Sequence, residues 1–401
     1  MVKSRRIMVI LAIGLIALLL VTACAPSPSP GKEKVLELGL MAGLTGPASA
    51  ASQYVLRGME EHIWYYNEEE GIPGVTVNLL WADTGHFLAQ GLTTYNKWIE
   101  HGVPLWICVL MDEAITIKPL AERDKTPFLT VAISEEVIYP TGWAYSIYCT
   151  DAERFAVWCD WIVANWKEDR PPKVVMMGPD MLYGRSAEVQ GTKYAESLGI
   201  EMLPMEFVPF VPLDTTTQLL RLSEREVDFV YITSVWTTAV PILRDAERLG
   251  LIGEIQFGGY ENTQSTAILA LGSSVEGYTV PRVSYFSLHE TNPGVKFMRD
   301  LQMKYRGRID VGGDECNPLR VSSVACEALK RAVEEVGYEN VDGVAVKRAL
   351  DSIKDFDPYG VGPVTYTPED HRGSNRVMVA QVQNGQVVYL TDWQDAPMLV
   401  P

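Results

Sequence analysis

The feature that most constrains the fold of this chain is a repeated alternation of short apolar runs with amphipathic segments of roughly 10 to 18 residues. The pattern begins with a strand from Val35 to Met41 and a helix from Gln53 to Glu70. It restarts with a helix from Asp151 to Trp166 and a strand from Lys173 to Met177. Strands that alternate with helices form βαβ units, in which a parallel sheet is covered on both faces. The sequence therefore predicts an α/β protein with two Rossmann-like units.

Chain length and the last third of the sequence extend this prediction. A chain of about 370 residues beyond a leader exceeds one hydrophobic core, so two domains are expected. Three helices follow one another without strands, at Pro293 to Tyr305, Pro318 to Val336 and Gly343 to Ile353. Such helices must pack on a sheet already formed, so we expect the chain to return to the first domain. Asn384-Gly385 then predicts an antiparallel hairpin.

The N-terminus has the anatomy of a bacterial lipoprotein leader. Basic residues precede an uncharged apolar run from Ile7 to Val21, which is too short for a transmembrane helix of about 20 residues. Val21-Thr22-Ala23-Cys24 looks like a lipobox, and Pro/Ser-rich residues follow it. We predict a signal peptide over residues 1–23 and a lipidated Cys24 with a tether over residues 24–33. An uncleaved anchor helix is the alternative. The expected location is extracytoplasmic, lipid-anchored at the outer face of the cell membrane or in the periplasm.

Charge and cysteine content exclude several classes of protein. Removal of residues 1–23 leaves 31 basic and 51 acidic side chains, a net charge of −20. Such a surface repels phosphate backbones and anionic lipid, which argues against nucleic-acid partners. Beyond Cys24 an odd number of cysteines remains, without C-x-x-C spacing, which argues against a disulfide framework or a zinc site. Oxidation of one pair outside the cytosol stays open. These cysteines are Cys108, Cys149, Cys159, Cys316 and Cys326.

The motifs of catalysis and cofactor binding are missing from the sequence. There is no dinucleotide fingerprint, P-loop, Gly-x-Ser-x-Gly elbow or His-Glu-x-x-His, and the 5 histidines are scattered. The adjacent carboxylates Asp112-Glu113 and Glu135-Glu136 are interpreted as charges at helix N-termini. We therefore predict that the protein is not an enzyme and holds no metal or cofactor.

Side chains suited to a ligand stand where open α/β sheets bind small molecules, beyond the carboxyl ends of strands. They are Ser134, Tyr183, Trp236 and Glu261. A hydroxyl suits a carboxylate, and an acidic side chain suits an ammonium group. Each residue also has a structural alternative, since Ser134 could cap a helix, Tyr183 could pack at a helix start and Glu261 could serve a helix dipole.

Four segments resemble one known family over essentially the whole chain. They are Leu44-Thr45-Gly46-Pro47 with Gly58, Asp180 to Gly184, Phe257 to Glu261, and Gly362-Pro363 with Thr367 to Gly373. In order and spacing these segments resemble the leucine/isoleucine/valine-binding proteins of ABC transporters, which have the type I periplasmic binding protein fold. The resemblance implies two lobes that close on a ligand and are joined by three crossovers, near Cys149, Pro281 and Pro358. Lobe 1 is expected over residues 34–149 and 282–357, and lobe 2 over residues 150–281 and 358–401.

The resemblance also implies roles for individual residues. Ala132 would offer its carbonyl to a ligand ammonium group, and Ser134 would donate its N–H and hydroxyl to a carboxylate. Tyr183 would close the site from the second lobe, Glu261 would pair with the ammonium group, and Trp236 would form an aromatic wall. The implied partners are an ABC permease with its ATPase subunits, and the protein is expected to be a monomer.

Two positions depart from the family pattern. Met111 and Asp112 stand where a serine hydroxyl commonly receives the ligand carboxylate, and small residues over Ala48 to Ala51 replace an aromatic side chain. The ligand is therefore expected to be a branched-chain amino acid, an amide or a related organic acid. A sensory binding protein of the same fold is the alternative function, and an extracytoplasmic enzyme is a weaker one. The Thr367 to Gly373 segment is interpreted as a turn between closing strands rather than a catalytic or metal cluster.

Overall fold

The computed structural model describes residues 34–46, 49–131, 133–261, 266–285, 291–309 and 316–401, with the side chain of Cys316 excluded. The predictions for Cys24, for residues 1–33 and for Ala132 lie outside the described residues. None of the described helices is both long and apolar enough to cross a bilayer.

The first sheet is entirely parallel and has the strand order β2-β1-β3-β4-β5. Its strands are built from apolar residues such as Leu38 and Leu40, which are fully buried because helices cover both faces. The elements of this part of the chain are β1 (Lys34–Ala42), α1 (Ser49–Tyr65), a π-helical turn (Tyr66–Glu70), β2 (Val75–Asp83), α2 (Leu88–Glu100), β3 (Leu105–Cys108), α3 (Met111–Asp124), β4 (Phe128–Thr130), α4 (Glu135–Ile138) and β5 (Ala144–Ser146).

The next part of the chain continues the alternation and forms most of a second sheet. Its elements are α5 (Asp151–Asn165), β6 (Lys173–Gly178), α6 (Leu182–Arg185), α7 (Glu188–Ser197), β7 (Glu201–Phe207), α8 (Thr216–Glu224), β8 (Phe229–Ile232), α9 (Trp236–Arg248), β9 (Gln256–Gly259), α10 (Thr266–Leu269), a 3₁₀ turn (Gly272–Val275) and β10 (Thr279–Arg282). Helix α5 is seated on this sheet by Trp158, whose indole N–H donates to Thr279 Oγ1 at 2.8 Å.

Three helices and five short strands complete the chain. Their bounds are α11 (Pro293–Arg306), α12 (Cys316–Val336), a 3₁₀ turn (Tyr338–Asn340), α13 (Gly343–Asp351), β11 (Thr365–Thr367), β12 (Asp370–Gly373), β13 (Arg376–Gln383), β14 (Gln386–Tyr389) and β15 (Gln394–Asp395). Helices α11 and α12 pack against α1, which lies on the first sheet. The chain thus returns to its first part, as the succession of helices predicts.

The second sheet has the order β14-β13-β10-β9-β8-β6-β7, with β15 paired to β13. Strands β6 to β10 are parallel, whereas β13 runs antiparallel to β10 and to β14. The turn between β13 and β14 is Asn384-Gly385, whose φ angles of 52° and 72° are those of a two-residue hairpin loop. The parallel-dominated α/β fold and the terminal hairpin are confirmed.

Candidate functional site

A cavity of about 290 Å³ lies where the carboxyl ends of strands from both sheets come together. It is lined after β2 by His86, after β3 by Leu110 and after β4 by Val131, and on the second sheet by Met181 after β6 and Val235 after β8. Parallel strands end at one edge of a sheet, so residues distant in sequence share this opening. The volume is at the lower end for ligand pockets, and most of the lining is apolar. The remaining lining residues are Ala50, Ala51, Ser52, Tyr54, Val55, Arg57, Val109, Met111, Asp112, Tyr148, Asp151, Arg154, Tyr183, Phe210, Trp236, Asn317 and Pro318.

Met111 and Asp112, predicted at the site from the sequence, line the cavity from the first sheet. They are the first two residues of α3, and Asp112 and Glu113 lie in its first turn, as predicted. The Asp112 carboxylate lies 3.9 Å from His86 Nε2. Asp112 raises the pKa of His86 above its usual value, against the opposing effect of burial. This side of the cavity therefore carries an acid and a histidine that is more readily protonated.

Tyr183 and Trp236, predicted at the site from the sequence, line the cavity from the second sheet. Tyr183 belongs to α6 and contacts the ring of Tyr260 at a centroid distance of 5.6 Å. Trp236 is the first residue of α9. Two helices, α6 and α7, stand between β6 and β7, and Tyr183 lies on the shorter one at the cavity.

Arg154 and Asp151 line the same cavity and were not predicted from the sequence. They lie one turn apart at the start of α5, and Arg154 donates a hydrogen bond to Asp151 Oδ1. Its guanidinium also lies over the Tyr148 ring, 5.3 Å from the centroid. Burial opposes the charge of Arg154, but Asp151, Tyr148 and Glu261 outweigh it and raise the pKa of the guanidinium. A charged pair within the apolar sequence of α5 is the signal that could have identified it.

Glu261 lies behind the cavity rather than on it. Its side chain is 1% exposed and accepts hydrogen bonds from the Ser284 N–H at 3.2 Å and the Ser284 hydroxyl at 2.9 Å. Arg282 Nη2 lies 3.2 Å from Oε1, and Arg154 Nη1 lies 3.7 Å from Oε2. Glu261 is therefore surrounded by two arginines, one of which reaches the cavity.

A sequence profile of the periplasmic binding protein family matches residues 35–386. This range includes strands β2 to β13, nearly all of β1 and every lining residue of the cavity. The chain belongs to the periplasmic binding protein family. Proteins of this family bind solutes and act outside the cytoplasm, so the cavity between the two sheets of this periplasmic binding protein is its candidate ligand site.

Individual relatives agree with the family assignment. Leu/Ile/Val-binding protein homolog 3 of Brucella melitensis is 21% identical over 360 residues, covering 88% of this chain and 93% of that protein. A branched chain amino acid ABC transporter protein from Thermus thermophilus with bound valine has a TM-score of 0.84, at 22% identity, covering 91% of this chain and 97% of that one. A fatty acid ABC transporter substrate-binding protein from Thermomonospora curvata has a TM-score of 0.81, at 18% identity, covering 94% and 97%. At these identities the structural matches establish the type I periplasmic binding protein fold.

Ser134, predicted to bind a ligand carboxylate, is not among the residues that line the cavity of this periplasmic binding protein. It is 2% exposed and precedes α4, and its hydroxyl lies 3.4 Å from Glu136 Oε2. Its position is that of an N-cap, the structural alternative, although the hydroxyl makes no capping hydrogen bond. Its role in ligand binding, like that of Glu261, stays a prediction.

The segment from Thr367 to Gly373 contains the end of β11, a turn and the whole of β12. Strands β11 and β12 pair across Pro368-Glu369, so the predicted turn between strands is confirmed. The imidazole of His371 stacks on Tyr145, with centroids 4.0 Å apart, and Arg372 Nη1 donates to Glu153 Oε1 at 2.9 Å. Within the described residues no group of three or more His, Cys, Asp or Glu side chains is placed to hold a metal ion.

Proposed function

We propose that this protein is the substrate-binding lipoprotein of an ABC importer, which captures a small ligand between two closing lobes and delivers it to a permease with ATPase subunits. The observation that carries the proposal is the cavity lined from both sheets, with Met111 and Asp112 on one side and Tyr183 and Trp236 on the other. A ligand that contacts both sides favours the closed arrangement, because it binds that arrangement more tightly. The proposed lobes are residues 34–149 with 282–357, and residues 150–281 with 358–401.

The proposed ligand is a branched-chain amino acid, an amide or a related organic acid. Support comes from the size of the cavity, which suits a small molecule, and from an apolar lining with a few charged groups. The Thermus relative holds valine and the Thermomonospora relative is described as a fatty acid binder, so the same fold accommodates both kinds of ligand. The lining of this chain contains no feature that favours catalysis, and we propose a binding role without turnover.

The ligand can be identified from the protein itself. The full chain is purified and unfolded in urea, the released small molecules are identified by mass spectrometry, and the refolded protein is titrated calorimetrically with the compound found. We expect one ligand per chain and a dissociation constant of about 1 μM or below, in the range that a well-filled small pocket supports. Release of no small molecule, together with no binding across amino acids, amides and organic acids, would contradict the proposal.

A matched pair of tyrosine variants connects binding to the cavity. Tyr183 lines it, whereas Tyr194 lies on α7, donates to Asp160 and does not line the cavity. Tyr183→Ala is expected to weaken ligand binding by about tenfold or more, because an aromatic contact of about 1.5–3 kcal/mol is lost. Tyr194→Ala removes the same ring and is expected to leave affinity within about twofold. Equal effects of the two substitutions would place the ligand elsewhere.

The proposed lipid anchor has its own test. Cys24→Ser removes the thiol that would carry lipid, and we expect the variant to leave the membrane fraction and to incorporate no labelled fatty acid. The lipid anchor gives the binding protein a high effective concentration at its permease, and the variant loses it. Uptake of the identified ligand should therefore fall, while the affinity of the protein for this ligand in solution stays the same. Continued membrane association and labelling of the variant would rule out lipidation at Cys24.

A further inference from the structure

The Arg154 guanidinium has more hydrogen-bond donors than its described neighbours use. Arginine has five N–H donors, and the hydrogen bond that Arg154 makes among the described residues goes to Asp151. Glu261 lies 3.7 Å from Nη1, which is an ion pair rather than a hydrogen bond. Within the same described residues, Nε is buried and has no hydrogen-bond partner. A buried donor without an acceptor costs about 1–3 kcal/mol, and a bound anion would remove that cost.

The acidic groups beside Arg154 already have arginine or hydroxyl partners, although Glu261 Oε2 is buried and accepts no hydrogen bond among the described residues. Asp151 accepts from Arg154 at Oδ1 and from the Ser186 hydroxyl at Oδ2, at 2.5 Å. Glu261 accepts from Ser284 at Oε1 and faces Arg282 and Arg154. Burial raises the pKa of Asp151, whereas Arg154 and the Ser186 hydroxyl act to lower it. These two donors therefore stabilise the charged form of the Asp151 carboxyl group. An incoming ammonium group would have to displace Arg154 or Ser186 from Asp151, and Glu261 does not line the cavity.

The other charged groups of the lining belong to the side of the first sheet, and they are Arg57 on α1, His86 and Asp112. Asp112 lies beside His86 at the start of α3, whereas α5, which carries Arg154, packs on β10 and β13 of the second sheet. The lining near Arg154 is otherwise apolar or aromatic, including Tyr148 and Val131. The Val131 carbonyl already accepts the Tyr148 hydroxyl at 2.9 Å. The second side of the cavity thus offers spare donors with a positive charge, next to apolar surface.

We infer that the ligand is a small monocarboxylate with an apolar body and no ammonium group beside its carboxylate, and that Arg154 binds the carboxylate. The inference rests on the proposed function and narrows it. A planar guanidinium pairs with a carboxylate through two parallel hydrogen bonds, and the pairing strengthens as water is excluded. Glu261 and Asp151 then act as positioning residues that hold Arg154, rather than as partners of the ligand.

Three carbon skeletons, each in three forms, test this ligand class on the full wild-type chain after its bound ligand has been removed. The acids are isocaproate, isovalerate and hydrocinnamate. The matching amino acids are leucine, valine and phenylalanine, and the matching amines are isoamylamine, isobutylamine and phenethylamine. By calorimetry we expect the acid to bind at least tenfold more tightly than the amino acid of the same skeleton, and the amine not to bind.

The outcomes separate the inference from the proposed function. An amino acid that binds more tightly than its matching acid overturns the inference and leaves the binding function standing. Binding of none of the nine compounds, with no small molecule released from the purified protein, overturns both. Tightest binding by an amine contradicts the assignment of Arg154 and places the ligand charge at Asp112.

Two arginine variants test the residue. Arg154→Lys keeps the charge next to Asp151 but loses the planar fork, and we expect acid binding to weaken by at least tenfold. Arg282→Lys is the matched control, since Arg282 is also fully buried and also pairs with Glu261 but does not line the cavity. Thermal unfolding of both variants is measured beside affinity. An equal loss of affinity in the two variants would show that Arg154 has only a structural role. If Arg154→Lys does not fold, the order of the nine compounds on the wild-type protein still decides the inference.

Discussion

Buried charged side chains of alternating sign run beneath the cavity, from Asp151 through Arg154 and Glu261 to Arg282. Removing one member of such a set leaves an uncompensated buried charge, which typically costs 3–5 kcal/mol. A neighbouring pair, Glu153 with Arg372, carries the same arrangement to β12. The charged side chains of this region therefore hold one another in position.

Glu135 gives a pH-dependent prediction at the residue scale. It is buried and accepts the Thr150 hydroxyl at 2.6 Å, and burial raises its pKa to about 7 in spite of that hydrogen bond. Below the unfolded value of 4.5, both states are protonated and folding carries no charge penalty. Between pH 4.5 and 7 the carboxyl group ionises in the unfolded state but stays protonated in the folded state, so the free energy of unfolding falls. Above pH 7 the folded state also carries the buried charge, and the stability that this group contributed is lost.

The measurement is urea unfolding of wild type and Glu135→Gln from pH 4 to pH 8. We expect the variant to gain about 3 kcal/mol relative to wild type across this range, as a raised acid pKa requires. The exposed neighbour serves as control, and Glu136→Gln should change the pH profile by less than about 0.5 kcal/mol. A constant difference between wild type and Glu135→Gln at all pH values would contradict the prediction.

The sequence predicted which residues stand near the cavity better than it predicted which side chains contact one another. Met111, Asp112, Tyr183 and Trp236 stand at strand ends and do line the cavity. The charged pair in α5 could have indicated Arg154, but not its contacts, because its partner Glu261 and the next charge, Arg282, come from distant parts of the chain. Charge compensation of this kind depends on the folded neighbourhood, which spacing along the sequence does not encode.

Helices α1 and α12 approach each other closely at Gly58. A Cβ on Gly58 would lie 2.6 Å from Pro318 Cγ and 2.7 Å from its Cβ, and a proline ring has little freedom to move away. Pro318 in turn lines the cavity. Glycine at position 58 therefore sets both the spacing of the two helices and the position of one side of the site.

Gly58→Ala tests this contact. We expect a loss of about 1–3 kcal/mol in the free energy of unfolding from overpacking, together with weaker ligand binding because Pro318 is displaced. Gly385→Ala is the control, since this glycine has φ of 72° and no atom within 4 Å of an added Cβ. Its cost of about 1–2 kcal/mol comes from backbone conformation alone, with affinity unchanged. A Gly58→Ala variant with wild-type stability and affinity would disprove the close contact.

The elements of the βαβ alternation followed from the sequence, whereas some short strands outside it did not. The strands and helices of the βαβ alternation lie where apolar periodicity predicted them, because burial against both faces imposes that pattern. Strands β5 and β10, of three and four residues, were not predicted, and β11 and β12 were expected only as closing strands around a turn. A segment this short shows no period, and its pairing is decided by neighbours such as β4 and β13.

The cavity is a property of the whole molecule, since neither sheet forms it alone. The family and its two-sheet architecture were predictable from the order of elements and motifs, whereas the cavity depends on how the two sets of strand ends face each other. Across the described residues, Cys108, Cys149, Cys159 and Cys326 are free and buried. In this part of the chain, packing and ion pairs surround the four thiols.

Thiol labelling measures whether the four buried cysteine side chains are accessible to a reagent in the folded protein. Burial raises the pKa of all four thiols, so little thiolate is available to react. With Cys24 and Cys316 replaced by serine, we expect no reaction of the native protein with a disulfide reagent and reaction of all four thiols in urea. Fewer than four reactive thiols in urea without reductant would reveal a disulfide, and rapid native labelling would show that the cores open.

The position of β10 has a consequence for how the molecule is made. This strand lies between β9 and β13, and Thr279 pairs with Gln381, so helices α11 to α13 are synthesised between the two partners. The first sheet, in contrast, draws all its strands from one continuous stretch of chain. Until β13 arrives, β10 is an open sheet edge with unpaired backbone groups, the kind of surface on which chains join one another. The newly made chain therefore passes through an interval in which its second half is the part that needs protection from aggregation.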